Sequence, residues 1–240
     1  MSDAFLRALD LCATRGRPAR LWLRDDDAVD PGPALDTLLQ MTGTAAVPVT
    51  LAVIPAHSGP SLASSLSQEP HVTVAVHGWA HANHAGPTEK SQELGLHRPV
   101  FVTLAELARG LARLRALHGA QFVPVLVPPW NRIAQTVAEG LPGLGFQALS
   151  VFGPEKPAPL QVVNTHVDLI DWRGTRGGRP AAVLLDELAL ALDRGAPVGV
   201  LTHHLVHDAD AWDFLAQLFE MTSGHPGCRW TSLADLIRLP

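Results

Sequence analysis

The chain has 240 residues, 47% of them apolar, and a formal net charge of −5 at pH 7. That length and composition describe one globular domain able to bury a substantial core, and exclude a fibrous or low-complexity chain. Lys and Arg are scattered with no basic stripe, which excludes the electrostatic footprint of a nucleic-acid binder.

Residues 1–20 carry Asp3, Arg7, Asp10 and Arg15 and no unbroken apolar stretch of signal-peptide type. No later segment is long and apolar enough to span a bilayer, so the expectation is a cytoplasmic protein without a membrane partner. Cys12 and Cys228 are the only cysteines and neither has a CxxC neighbour. A disulfide framework and a thiolate zinc cage are therefore not expected, and any metal must rely on His and carboxylate.

In chain order, the apolar runs at 21–23, 47–54, 72–76, 122–127, 146–150, 161–163 and 198–201 predict short buried strands rich in Val, Leu and Ile. Helical patterns at 33–41, 133–141, 181–192 and 209–221 sit between or after them, with a short closing helix over 232–239. The clearest helix opens at Thr103 with Glu106 three residues on, a capping-box pattern, and carries Leu104, Leu107, Leu111, Leu114 and Leu117 along one face up to Gly119. Strand and helix alternate, which implies a mostly parallel sheet. About seven such units favour a closed or nearly closed barrel over an open doubly wound sheet. The predicted fold is α/β, a single-domain irregular (β/α)7-type barrel.

Short polar clusters follow these apolar runs: Arg24-Asp25-Asp26-Asp27, His77-Gly78-Trp79-Ala80-His81, Pro128-Pro129-Trp130-Asn131-Arg132, Asp168-Leu169-Ile170-Asp171-Trp172 and Thr202-His203-His204. Polar groups at the ends of core strands are costly unless they meet one another, a metal or water. His77 and His81 are spaced i, i+4, so a helical turn there would put both rings on one side, a geometry that holds a metal ion. Three consecutive carboxylates repel one another unless a cation compensates, and a two-His, one-carboxylate set leaves coordination positions open for water and substrate.

The ordered set Asp-Asp, HxxxH, Pro-Pro-aromatic, DxxDW and Leu-x-His, spread over about residues 20–210, resembles the polysaccharide deacetylase family, metal-dependent amide and ester hydrolases on an irregular α/β barrel. The resemblance implies Asp26 as general base, with Asp27, His77 and His81 as ligands of a divalent metal, Zn2+ first among the candidates. Asp25-Asp26 is the alternative register; Asp26-Asp27 is preferred because Arg24-Asp25 then fills the family's usual Thr-Phe positions and Ala28 its Gly. The resemblance further implies His203 as the acid, with His204 as competitor, and Asp171 as its carboxylate partner. It assigns the Trp130 backbone N–H to the oxyanion and gives Trp172 as an apolar wall.

One departure stands out. Many family members place an Arg just before the Pro-aromatic pair to orient the base, whereas this chain has Val127 and Pro128 there. Arg132, in the same loop, or Arg24, on the same strand face as Asp26, could supply that charge. The leading expectation is a metal-dependent hydrolase of carbon–nitrogen bonds other than peptide bonds, deacetylating an N-acetylated sugar, a short oligosaccharide or a related small amide. The alternatives are a non-catalytic barrel that binds a carbohydrate or metabolite, for which the missing Arg would speak, and a hydrolase of a non-sugar C–N bond. Nothing in the pattern specifies an oligomeric state.

Overall fold

A computed structural model describes residues 3–238. The order of elements alternates as the apolar periodicity predicts: α1 (Asp3–Thr14), β1 (Ala19–Ala28), α2 (Pro33–Thr44), β2 (Val49–Val53), α3 (Pro60–Leu66), β3 (Val72–His77), α4 (Val100–His118), β4 (Phe122–Val127), α5 (Gln135–Leu144), β5 (Ala148–Leu149), β6 (Gln161–Val162), β7 (Val167–Asp168), α6 (Ala181–Leu192), β8 (Val198–Thr202), α7 (Ala209–Thr222), β9 (Cys228–Trp230) and α8 (Leu233–Leu236). The strands form one parallel sheet in the order β6-β5-β4-β3-β2-β1-β8-β7, with β9 added beside the start of β1. The sheet curls into an irregular barrel because one stretch serves both of its ends. Thr165 N donates to Val151 O on the β5 side (3.0 Å), and His166 N donates to Gly199 O on the β8 side (2.7 Å).

Alternation along the strands sorts the core into two parts. Outward residues such as Leu21, Leu23, Val74 and Val76 pack under the helices in the larger cluster. Inward residues form a smaller cluster in which Trp22 fills the floor, Ala52 and Ala75 leave room, and Leu233 and Leu236 of α8 belong to the same packing. Above that plug the inward positions turn polar at the carboxyl ends of the strands. This is where a parallel barrel presents its site.

Several expectations are corrected. Thr103 does not cap α4: the helix begins at Val100 after Pro99, Thr103 is buried inside it, and Glu106 pairs with Arg98 at 2.8 Å. Helices α1 and α3 and the two short strands β7 and β9 are additional to the predicted elements. The closing helix is a single turn capped by the Ser232 side chain, and Leu239 lies outside the described residues. No helix among the described residues is long and apolar enough to cross a membrane.

Candidate metal centre and active site

Strict alternation along β1 would put Arg24 and Asp26 on the inner face and Asp25 and Asp27 on the outer one. A bulge changes this. Asp25 is opposite Leu51 and Ala28 opposite Val53, so β1 spends three steps where β2 spends two, and Asp27 takes the left-handed backbone φ of 74°. Asp26 and Asp27 therefore both line the cavity at the barrel mouth, while Asp25 turns outward.

Asp27 meets the two predicted histidines. Its Oδ1 is 3.0 Å from His77 Nε2 and 3.3 Å from His81 Nε2, and one donor atom from each of the three lies within 4.8 Å of the others. The i, i+4 spacing does not act through a helical turn: His77 ends β3, and the chain reverses through Gly78 (φ 60°) and His81 (φ 53°). His77 Nδ1 lies 2.9 Å from the Val127 carbonyl oxygen. It must donate there, which fixes the tautomer and turns the Nε2 lone pair toward Asp27, the usual outer support of a metal-binding imidazole.

The electrostatics suit a cation. Burial works against ionisation of Asp27, yet the His77 hydrogen bond and the neighbouring imidazoles hold its carboxyl well below the usual range. Burial and His77 push the His81 pKa down, which favours the neutral ring that can act as a ligand. Burial also opposes charge on His77, but Asp27 and Asp26 raise it, so a cation at this site competes with a proton.

Glu93 was not singled out by its sequence, because it lies within the polar loop 82–99 with nothing to mark it. It is almost fully buried and accepts from Trp79 N (3.1 Å) and Ala80 N (2.7 Å), which braces the turn between the two histidines. A Cβ on Gly78 would come within 2.0 Å of Glu93 Oε2, so only glycine admits the carboxylate here.

The positive charge absent at Val127-Pro128 reaches Asp26 from its own strand. Arg24 is fully buried; its Nε donates to Asp26 Oδ1 (2.8 Å) and its Nη2 to Asp26 Oδ2 (3.0 Å), a two-pronged grip. The rest of the guanidinium is anchored across the barrel on Ser150 Oγ (2.7 Å) and Asn131 Oδ1 (2.9 Å). Arg132 lines the cavity and donates to Ser91 O (2.8 Å) instead.

His203 lines the same cavity, with Nε2 4.0 Å from Asp26 Oδ2, and its buried Nδ1 has no partner among the described residues. His204 points away into Asp25. The Trp172 ring stands edge-on to His203 at 4.7 Å, and the Trp130 ring lies 4.2 Å from that of His81, so both indoles wall the site. Trp130 itself holds a left-handed φ of 53°.

Asp171 is placed differently from expectation. Its carboxylate accepts from Gly174 N (3.0 Å) and Thr175 N (3.4 Å) and ties a turn, because it lies beyond the end of β7 where the chain folds back on itself. The carboxylate that lines the cavity with His203 is Asp168. Burial raises the Asp168 pKa, whereas the Ile170 amide, the charge of His203 and Trp172 Nε1 (2.9 Å) counter that rise. The whole cavity has a volume of about 780 Å³.

The same architecture occurs in solved structures. A candidate polysaccharide deacetylase from Mycobacterium smegmatis superposes with a TM-score of 0.68 at 16% identity, over 93% of this chain and 90% of that one. The chain has the polysaccharide deacetylase fold. A CE4 esterase from Streptococcus mutans gives 0.63 at 14% identity (94% and 89% covered), and a family 4 carbohydrate esterase from Streptomyces lividans, in complex with acetate, 0.59 at 16% (88% and 91%). No family model and no curated protein matches the sequence. The deacetylase likeness thus lies in the fold.

Proposed function

We propose that the protein is a divalent-metal-dependent deacetylase that hydrolyses the amide of an N-acetylated sugar or a related small molecule. The observation that carries this reading is the Asp27-His77-His81 triad opposite His203, with Asp26 between them in the grip of Arg24. The donor set is one carboxylate and two imidazoles whose tautomers can be fixed from outside, which suits zinc and related ions. Bound there, a divalent cation would polarise the acyl carbonyl and acidify a water.

The chain's own residues supply the rest. Asp26 takes the proton from the attacking water, and the two-pronged grip of Arg24 keeps that carboxylate aimed. His203 delivers a proton to the departing nitrogen from the cavity wall it shares with Asp168. Trp130 and Trp172 hold the acyl group between indoles, and the Trp130 backbone N–H faces the oxyanion. Arg24 can supply the charge of the arginine missing ahead of Pro129, which favours a catalytic over a non-catalytic barrel. The cellular setting we propose is the cytoplasm, with a short soluble substrate.

Metal content by mass spectrometry, measured with acetate release from a panel of N-acetylated sugars, tests the proposal. Stoichiometric zinc or a similar ion in the wild type, lost in His77→Ala together with acetate release, is the expected result. A wild type that takes up no metal from added zinc would overturn it.

A further inference from the structure

We infer that the acylated amine taken by this site carries a negative charge, a carboxylate or a phosphate, and that Arg173 and Arg176 recognise it; the inference rests on the deacetylase reading of the same cavity. Both arginines are exposed side chains lining the cavity that contains Asp27, His77 and His203. Neither has an ion-pair or hydrogen-bond partner for its side chain among the described residues. By contrast Arg24, Arg98, Arg179 and Arg194 are each paired with a carboxylate.

The carboxylates of the cavity are already committed and leave these guanidiniums free. Asp26 is held by Arg24, Asp27 by the two histidines, and Asp168 by Ile170 N and Trp172 Nε1. The wall opposite adds more positive charge. Past Phe152 the cavity continues into a depression of about 460 Å³ that shares Asn131 and Arg132 and adds the exposed Lys156, with no carboxylate in its lining. A chain of net charge −5 thus places Arg173, Arg176 and Lys156, none with an ion-pair partner among the described residues, along its cavity and the adjoining depression. Guanidinium forks match the planar oxygens of carboxylate and phosphate.

The loop that carries the arginines is built to present them. Asp171 accepts from Gly174 N and Thr175 N, Arg176 N donates to Asp171 O (2.9 Å), and Gly178 N donates to the Asp208 carboxylate (2.9 Å). Arg176 is held at a left-handed φ of 61°, a conformation a non-glycine residue keeps only where its surroundings impose it. The displaced role of Asp171 is therefore intelligible: it knots the arm that carries Trp172, Arg173 and Arg176 over the mouth.

The test measures binding and acetate release for N-acetylglucosamine, N-acetylmuramic acid and N-acetylglucosamine 6-phosphate, using zinc-loaded wild type and Arg173→Gln/Arg176→Gln. The expected result is at least tenfold tighter binding of one or both anionic sugars by the wild type, a ratio that shrinks with added salt and falls to within about twofold in the double variant. Preference for the muramic acid identifies a carboxylate; preference for the 6-phosphate identifies a phosphate. Equal affinity for neutral and anionic sugars, no binding of either anion, or a preference that survives in the double variant would overturn the inference. Anion binding without acetate release from any sugar would overturn the deacetylase reading alone.

Discussion

On the inner face of β1, Arg24 grips Asp26 beside an open cavity; on the outer face, one residue along, Asp25 is closed in against His204. Both are acid–base pairs within the same strand end, and both are almost fully buried. Their surroundings separate them. Asp26 faces a space wide enough for a substrate, with His203 4.0 Å away. Asp25 has both oxygens occupied, one by His204 Nδ1 at 2.5 Å and the other by His204 N at 2.8 Å, in the layer between sheet and helices. A carboxylate with nothing left to bind is structural; one with a free approach and a fixed orientation can move a proton.

The comparison can be broken in order of expected effect. Asp26→Asn should keep its metal and lose about 10²- to 10⁴-fold in kcat, the usual worth of a general base, read by acetate release alongside metal analysis. Metal loss in Asp26→Asn with retention in Asp27→Asn would reverse their roles. Asp25→Ala, on the other face, should change kcat less than tenfold while costing about 3–5 kcal/mol of stability, because His204 is left buried without its counter-charge. Urea unfolding decides this; a stable Asp25→Ala protein without activity would erase the distinction between the faces.

Glu93→Ala sharpens the picture from the second histidine's side. Removing the acceptor of the Trp79 and Ala80 amides should weaken metal binding by about 10- to 100-fold, as loss of outer support around a metal ligand usually does, measured by competition with a chelator. The smallest effect is on pH dependence. Burial opposes charge on His204, but Asp25 raises its pKa above the ordinary value. A raised imidazole contributes stability that is fully present below its unfolded pKa of about 6.5 and is lost as pH rises through the folded value. Wild-type stability should therefore decline over that window, and a His204→Gln variant should lack that part of the decline.

The parallel barrel, the cluster positions and the meeting of Asp27 with His77 and His81 were legible in the sequence because each depends on local signals: apolar runs of strand length, polar residues placed just after them, and two histidines at a short spacing. The inward position of Arg24 followed from alternation along one strand. Alternation failed three residues later, at Asp27, because a bulge against β2 has no signature in the acidic run itself. The place of Asp171 differs from expectation for a related reason. Asp168 and Asp171 lie in one short segment, and only the end of β7 and the turn after it decide which carboxylate faces the cavity.

Glu93 and Ser150 escaped notice because their partners come from other elements, and a long polar loop looks the same whether its glutamate is solvated or buried under a backbone turn. The sequence by itself determined which residue types meet at the barrel mouth, since strand ends of a parallel sheet must converge there. The tertiary structure alone decided which of two adjacent side chains faces the cavity and which is sealed behind it. Register, bulges and packing are set by contacts between distant segments, and the energies that choose among them do not reside in any one stretch of chain.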